Sequence, residues 1–317
     1  MPIPIRRLLP AALAAVTAAA GPLAAQSAAP RHDAKLQKSL DSLVAGFDGT
    51  VGVYVWNLKN GKSAEIRADE LFPTASMIKV PILIGVYDRI NRGELKVDSS
   101  LVYTDSLADK DEGDLLASLR DSTKIDLSQV ILMMITTSDN TAALWNQYLA
   151  GTGTAINDWL SAHGFDSTRV NSRTPGRQDN RKHYGWGQTT PREMARLLVM
   201  IREGKAVSPA ASEEMYRDLT RIYWNGEGLS QIPPWVQAAS KQGFVDASRS
   251  EVMLVNAPSG DYVYCVITKG QADHSYEHGN AGFVLLRKVS ALLWRTFEPK
   301  HPWTPSPGAA DLKPRSE

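Results

Sequence analysis

Apolar positions recur along this chain with two different periods, and each period predicts a different element. From Ala34 to Phe47, residues Leu36, Leu40, Leu43 and Val44 stand at helical spacing, which predicts a first helix. Two strand-like runs follow, Val51–Trp56 and Lys62–Arg67, joined by Asn60-Gly61, a dipeptide suited to a two-residue hairpin turn. A long apolar run opens at Ser76 and predicts a helix to Arg92, stopped by Gly93 in a left-handed conformation. Pro81 falls inside that helix, where it is expected to remove a backbone hydrogen bond and bend the axis. Residues 94–220 read mostly as helices with polar connections, and Thr190-Pro191-Arg192-Glu193 marks one helix start through its capping box and first-turn proline. Strand patterning returns at Glu251–Asn256 and Tyr262–Thr268 around the turn Ser259-Gly260-Asp261. A closing helix, Ala281–Phe297, carries Val284, Leu285, Val289, Leu292 and Leu293 toward the sheet.

Strands at both ends with helices inserted between them predict an α+β fold: an antiparallel sheet flanked by the terminal helices, plus an all-helical subdomain. One domain is expected over residues 26–298, its sheet part from 33–72 and 221–298 and its helical part from 73–220. The cleft between the two parts is the natural place for a ligand pocket. Residues 1–25 read as a secretory signal peptide: Arg6 and Arg7, an apolar stretch from Leu8 to Ala20, and small residues up to Ala25. Export to the periplasm or medium is therefore expected. The apolar stretch is too short to span a membrane, so no stable membrane anchor is expected. The segment 299–317, with prolines at 299, 302, 305, 307 and 314, reads as a disordered tail.

Composition narrows the function classes. The 317 residues hold 43% hydrophobic positions and 35 basic against 34 acidic side chains. Removing Arg6 and Arg7 with the signal leaves 33 basic against 34 acidic residues, a balance that favours neither nucleic acid nor an anionic membrane. Cys265 is the sole cysteine, set in the strand-like Tyr262–Ile267, so no intramolecular disulfide can form. His274 and His278 flank Glu277 in a glycine-bounded loop and lack the helical context of a zinc motif, so neither metal nor cofactor is expected.

The chemistry concentrates in three short motifs. Ser76-Met77-Ile78-Lys79 places a hydroxyl three residues before an amine, and positions i and i+3 of a helix share a face. A serine attacks carbonyls poorly unless a proton acceptor stands within hydrogen-bond reach, and a lysine in apolar surroundings can serve. Ser138-Asp139-Asn140 follows the apolar stretch Val130–Ile135, and Lys241-Gln242-Gly243 precedes a strand. Ser-x-x-Lys, Ser-Asp-Asn and Lys-Thr-Gly in that order are the signature of class A β-lactamases and penicillin-binding proteins. On these motifs, the 51–67 hairpin, Asp69–Pro73 and Ile232–Val236, the chain resembles that superfamily from about residue 33 to 298, and most resembles the class A β-lactamases.

The resemblance implies a role for each residue. Ser76 would be the nucleophile, Lys79 its proton acceptor, and Ser138 the donor to the leaving nitrogen, with Lys241 polarising Ser138 and attracting a substrate carboxylate. Asn140 would hold the substrate amide, Gly243 would leave room along the strand edge, and Arg249 would give a second carboxylate contact. The N–H groups of Ser76 and Phe244 would form the oxyanion hole. Gln242 stands where the family has a hydroxyl, which weakens one carboxylate contact. The family's loop glutamate, which activates the deacylating water, is also missing: its spacing from Thr190-Pro191 falls on Thr174, and the nearest acid is Asp179. Asp179 is thus a candidate base, with a salt bridge inside the loop as its plainer role. Tyr184-Gly185-Trp186-Gly187 is expected to pack the loop rather than meet substrate. The implied activity is hydrolysis of β-lactams by a monomeric serine enzyme, with slow deacylation. A D,D-peptidase-like amidase acting on peptidoglycan stem peptides is the alternative, and a penicillin-binding module without turnover is a further one.

Overall fold

Both ends of the chain meet in one sheet. The computed structural model describes residues 27–109 and 114–313; the expected signal segment 1–25 lies outside the described residues. Strand β1 (Arg31–His32) leads to α1 (Ala34–Val44), whose N-cap is Asp33, and then to β2 (Thr50–Asn57) and β3 (Lys62–Ile66). After β4 (Phe72–Pro73) and a tight turn of helix at Ala75–Ile78, α2 runs from Lys79 to Asn91. The helical block holds the pair β5 (Ser100–Val102) and β6 (Lys124–Asp126), α3 (Leu127–Leu132), α4 (Asn140–Leu149) and α5 (Thr152–Ala162). It continues through β7 (Arg169–Val170), α6 (Gln178–Tyr184), β8 (Gly187–Thr189), α7 (Pro191–Arg202) and α8 (Pro209–Leu219). The chain closes with β9 (Ala238–Val245), β10 (Ser248–Val255), β11 (Tyr262–Lys269) and α9 (Ala281–Phe297).

The main sheet runs β1-β3-β2-β11-β10-β9, antiparallel except where β1 joins β3, so β9 forms its edge. One face carries Val53, Val55, Met253, Val255 and Tyr264 against α1 and α9. The other carries Val252, Leu254, Val263, Cys265 and Ile267 into the core shared with α2, α4 and α7. This is the α+β arrangement expected from the pattern. Burial of large side chains such as Leu83, Val86 and Leu198 stabilises the core by roughly 1.5–3 kcal/mol each.

Four expectations change in detail. Because residues 75–78 form a separate tight turn, Pro81 is the third residue of α2, in its first turn, where proline is tolerated. No interior hydrogen bond is lost there. The β2–β3 connection is wider than a two-residue turn: Asn57 Oδ1 accepts from Lys59 and Asn60 N–H, and Gly61 takes φ +76°. Thr190 caps α7 as expected, yet Glu193 turns from the cap to accept from Ser167 and Thr168, tying α7 to β7. The described part of the tail, largely exposed, is tied down at two points: Trp303 meets Trp235 edge-on at 6.4 Å, and Trp294 Nε1 donates to His301 O at 2.9 Å.

Candidate active site

Three elements converge on Ser76. It sits in the tight turn before α2, preceded by Ala75 at φ +43°, a left-handed conformation that costs a residue with a Cβ about 1–2 kcal/mol. Such strain recurs where a side chain must be aimed. Ser138 also lies at positive φ (+64°), directly after a π-helical turn at Met133–Thr137. Asp139 fixes this turn, with Oδ1 accepting from Ala142 N–H at 2.7 Å and Oδ2 from Leu116 N–H at 2.9 Å. Burial raises the pKa of Asp139, and those same backbone bonds oppose the rise. Asp114 adds bonds to Asn140 N–H, at 2.8 Å, and Thr141 N–H, at 2.7 Å.

Lys79 is fully buried and joins the three motifs. Its Nζ stands 3.1 Å from Ser76 Oγ, 3.1 Å from Ser138 Oγ and 2.7 Å from Asn140 Oδ1, and it also donates to Ser138 O. Lys241 approaches from β9, its Nζ 3.0 Å from Ser138 Oγ and 3.0 Å from Gln242 O. Burial holds its ammonium pKa well below the ordinary lysine value; the charge of Lys79 adds to that effect and Glu251 opposes it. Gly243 lets β9 pass the nucleophile closely. A Cβ there would fall 2.6 Å from Ser76 N and 2.7 Å from Thr74 O. The arrangement is a serine hydroxyl linked through an amine to a second hydroxyl and a second amine, which can move a proton from an attacking oxygen to a leaving group.

A cavity of about 810 Å³ opens over this centre. Ser76, Asn140 and Phe244 line it together with His183 and Tyr184 at the end of α6 and Gly185 and Trp186 just after it. Among the described residues that line it, none is Asp or Glu. The loop-packing expectation for Tyr184 and Trp186 thus gives way to a place on the wall, and His183, which the motifs did not single out, stands beside them.

Three predicted site residues lie elsewhere. Strand pleat separates Gln242 from Lys241. Lys241 and Gly243 face the helical part, while Ser240, Gln242 and Phe244 face α9, as the Phe244–Phe283 edge contact at 5.3 Å shows. Gln242 is 2% exposed, and its amide is turned beneath the sheet. Arg249 is also buried. Its guanidinium donates to the carbonyls of Val245, Ser248 and Ser275 and lies between the rings of Tyr276 and Phe283, so it braces the β9–β10 turn against the 273–280 loop. Asp179 points to solvent from α6, its side chain 99% exposed and 3.7 Å from Lys182. Thr174 donates to Ser172 O at 2.9 Å and packs against Gly153, away from the cavity. Among the described residues, no group of three or more His, Cys, Asp or Glu could hold a metal ion, and no helix is long and apolar enough to cross a membrane.

Replacing Arg249 with alanine is expected to lower stability by about 2–4 kcal/mol, since charge-assisted hydrogen bonds and ring contacts are lost together. Half-saturation for a penicillin should stay within about twofold, well under the tenfold that 1.4 kcal/mol of lost binding would give. Urea unfolding and acylation kinetics check this. A large rise in half-saturation at unchanged stability would return Arg249 to the substrate carboxylate.

Comparison with known proteins agrees with this geometry. The model of the β-lactamase enzyme family matches residues 35–297. β-Lactamase VEB-1 of Pseudomonas aeruginosa is 20% identical over 83% of this chain and 90% of its own, and a β-lactamase of Streptomyces fradiae is 29% identical over 65% and 67%. Among solved structures, PBP-A superposes with a TM-score of 0.76 at 26% identity, covering 86% of this chain and 99% of its own. A β-lactamase from Sphaerobacter thermophilus gives 0.73 at 22%, covering 84% and 98%. With its serine, two lysines and second serine gathered at one cleft, the chain belongs to the β-lactamase enzyme family of serine hydrolases.

Proposed function

We propose that Ser76 forms an acyl-enzyme with β-lactams and releases it slowly. Ser76 Oγ attacks the ring carbonyl as Lys79 takes its proton, and the N–H groups of Ser76 and Phe244 receive the developing oxyanion. The C–N bond of the ring then breaks, an ester on Ser76 remains, and Ser138 passes a proton to the leaving nitrogen. Lys241 holds Ser138 in place and attracts the substrate carboxylate, and Asn140 holds the side-chain amide. The observation that carries this reading is the position of Lys79 Nζ, 3.1 Å from both Ser76 Oγ and Ser138 Oγ. It is tested by intact-protein mass spectrometry after exposure to benzylpenicillin. One adduct on the peptide containing Ser76 is expected, and absence of both adduct and hydrolysed product would overturn it.

A second reading, a D,D-peptidase-like amidase of peptidoglycan stems, is supported by the lack of a carboxyl among the described residues of the cavity wall and by the likeness to PBP-A. A mutant of PBP-A has been solved as an acyl-enzyme complex with penicillin G. The N-terminal signal pattern supports action outside the cytoplasm.

A further inference from the structure

Glu251 is a fully buried acid with no part in the chemistry above. It lies on β10 opposite Gln242, on the sheet face turned from the cavity, and is 1% exposed. Its carboxylate accepts from Ser240 Oγ at 2.8 Å and from Gly228 N–H at 2.7 Å. Gly228 is bound in turn to α9, where Ser290 Oγ donates to its carbonyl at 2.8 Å. A Cβ at Gly228 would fall 2.5 Å from Glu251 Oε2 and 2.8 Å from Tyr264 Oη, so the segment is fitted to the acid. Ser240 precedes Lys241 on β9. A continuous set of contacts therefore runs from α9 through Gly228, Glu251 and Ser240 to the strand that presents Lys241 to Ser138.

We propose that Glu251 is a positioning residue for Lys241, holding its strand from behind the sheet and setting a negative charge behind it. Burying a carboxyl this far is costly unless it is bonded, and two backbone or hydroxyl donors meet that need here. The neighbouring amide of Gln242 has no hydrogen-bond partner on either atom, so this polar pocket is not simply a closed packing network. The charged and titratable groups around Glu251 are Lys241 on β9, Arg249 on β10, Tyr264 and Cys265 on β11, and Glu227, which is paired with Arg287 of α9. Burial pushes Glu251 up to about 7, against the pull of its bonds to Ser240, Gly228 and Leu229. The sign follows. Below that pH the acid is neutral and gives Lys241 no support; above it, the carboxylate raises the pKa of Lys241 against the effect of burial.

The inference rests on Ser76 acylation, which wild-type labelling reports by itself; the ratio of variant to wild type reports on Glu251. Acylation by a fluorescent penicillin should be followed from pH 5.5 to 9 in wild type and Glu251→Gln. Near pH 6 the two rates are expected to agree, because both side chains are neutral. Near pH 8.5 the variant should be about tenfold slower, the effect of moving the Lys241 pKa by one unit. A ratio independent of pH, whether at parity or at a uniform loss, would reduce Glu251 to packing and overturn the proposal. Should Glu251→Gln fail to fold, Ser240→Ala carries the test by cutting the link to the strand while keeping the acid. Slower acylation, with its pH dependence moved to higher pH because the acid has lost a bond that favours its carboxylate, is expected, and wild-type rates at every pH would overturn it.

Discussion

Replacing Ser76 with alanine is expected to abolish covalent labelling by penicillins and to lower turnover by about six orders of magnitude, the scale found when a serine nucleophile is removed from a catalytic unit. The fold should survive. Ser76 is partly exposed on the cavity wall, and its loss leaves Lys79 bonded to Asn140 Oδ1 and Ser138 Oγ, so no buried amine is stranded. Substitutions of this kind usually change stability by no more than about 0.5 kcal/mol. Intact-protein mass spectrometry and urea unfolding on the same sample separate the two effects. A penicilloyl adduct on folded Ser76→Ala would move the nucleophile elsewhere. Truncating Lys79 could not give so clean a result, because it would also leave the Asn140 and Ser138 oxygens without their donor.

What the sequence made legible was what short-range spacing controls. Ser76 and Lys79 meet because three residues make about one turn, and Asp139 closes its turn as a local cap. Ser138 and Lys241 are 103 positions apart, and only the family likeness of the motifs brought them together in advance. Where the reading failed, side-chain direction decided the matter. Gln242 follows Lys241 on a strand, so the pleat alone sends it to the opposite face, a signal that was available and unused. Arg249 on β10 stands opposite Phe244 and shares the α9 face, where carbonyls and two rings claim its guanidinium. Asp179 lies in a short helix that the polar run Gln178–Tyr184 did not announce, and that helix turns the acid outward. Glu251 was hidden by a strand pattern in which a lone acid reads as an exposed position, though its cross-strand partners make it a buried one.

The cavity wall leads to the other large effect, a pre-steady-state burst of about one equivalent followed by slow turnover of a chromogenic cephalosporin. Acylation needs only groups that are in place: the Ser76–Lys79–Ser138–Lys241 set makes every contact the proton transfer requires. Deacylation needs a base that aims water at the ester, and the described lining residues include no carboxyl. Asp179 is turned into solvent, and Thr174 is packed against Gly153 and bonded to Ser172 O. A missing general base costs about 10²–10⁴ in rate, enough to make deacylation the slow step while leaving the burst untouched. Stopped-flow absorbance gives both phases in one trace. The two titratable groups that the end of α6 brings to the wall are His183 and Tyr184. Fast turnover without a burst, lost in His183→Ala, would show that an imidazole has taken the place of the absent glutamate. Slow turnover that His183→Ala leaves unchanged is the expected outcome, because His183 is exposed at the rim and the catalytic set itself contains only serines, lysines and an asparagine.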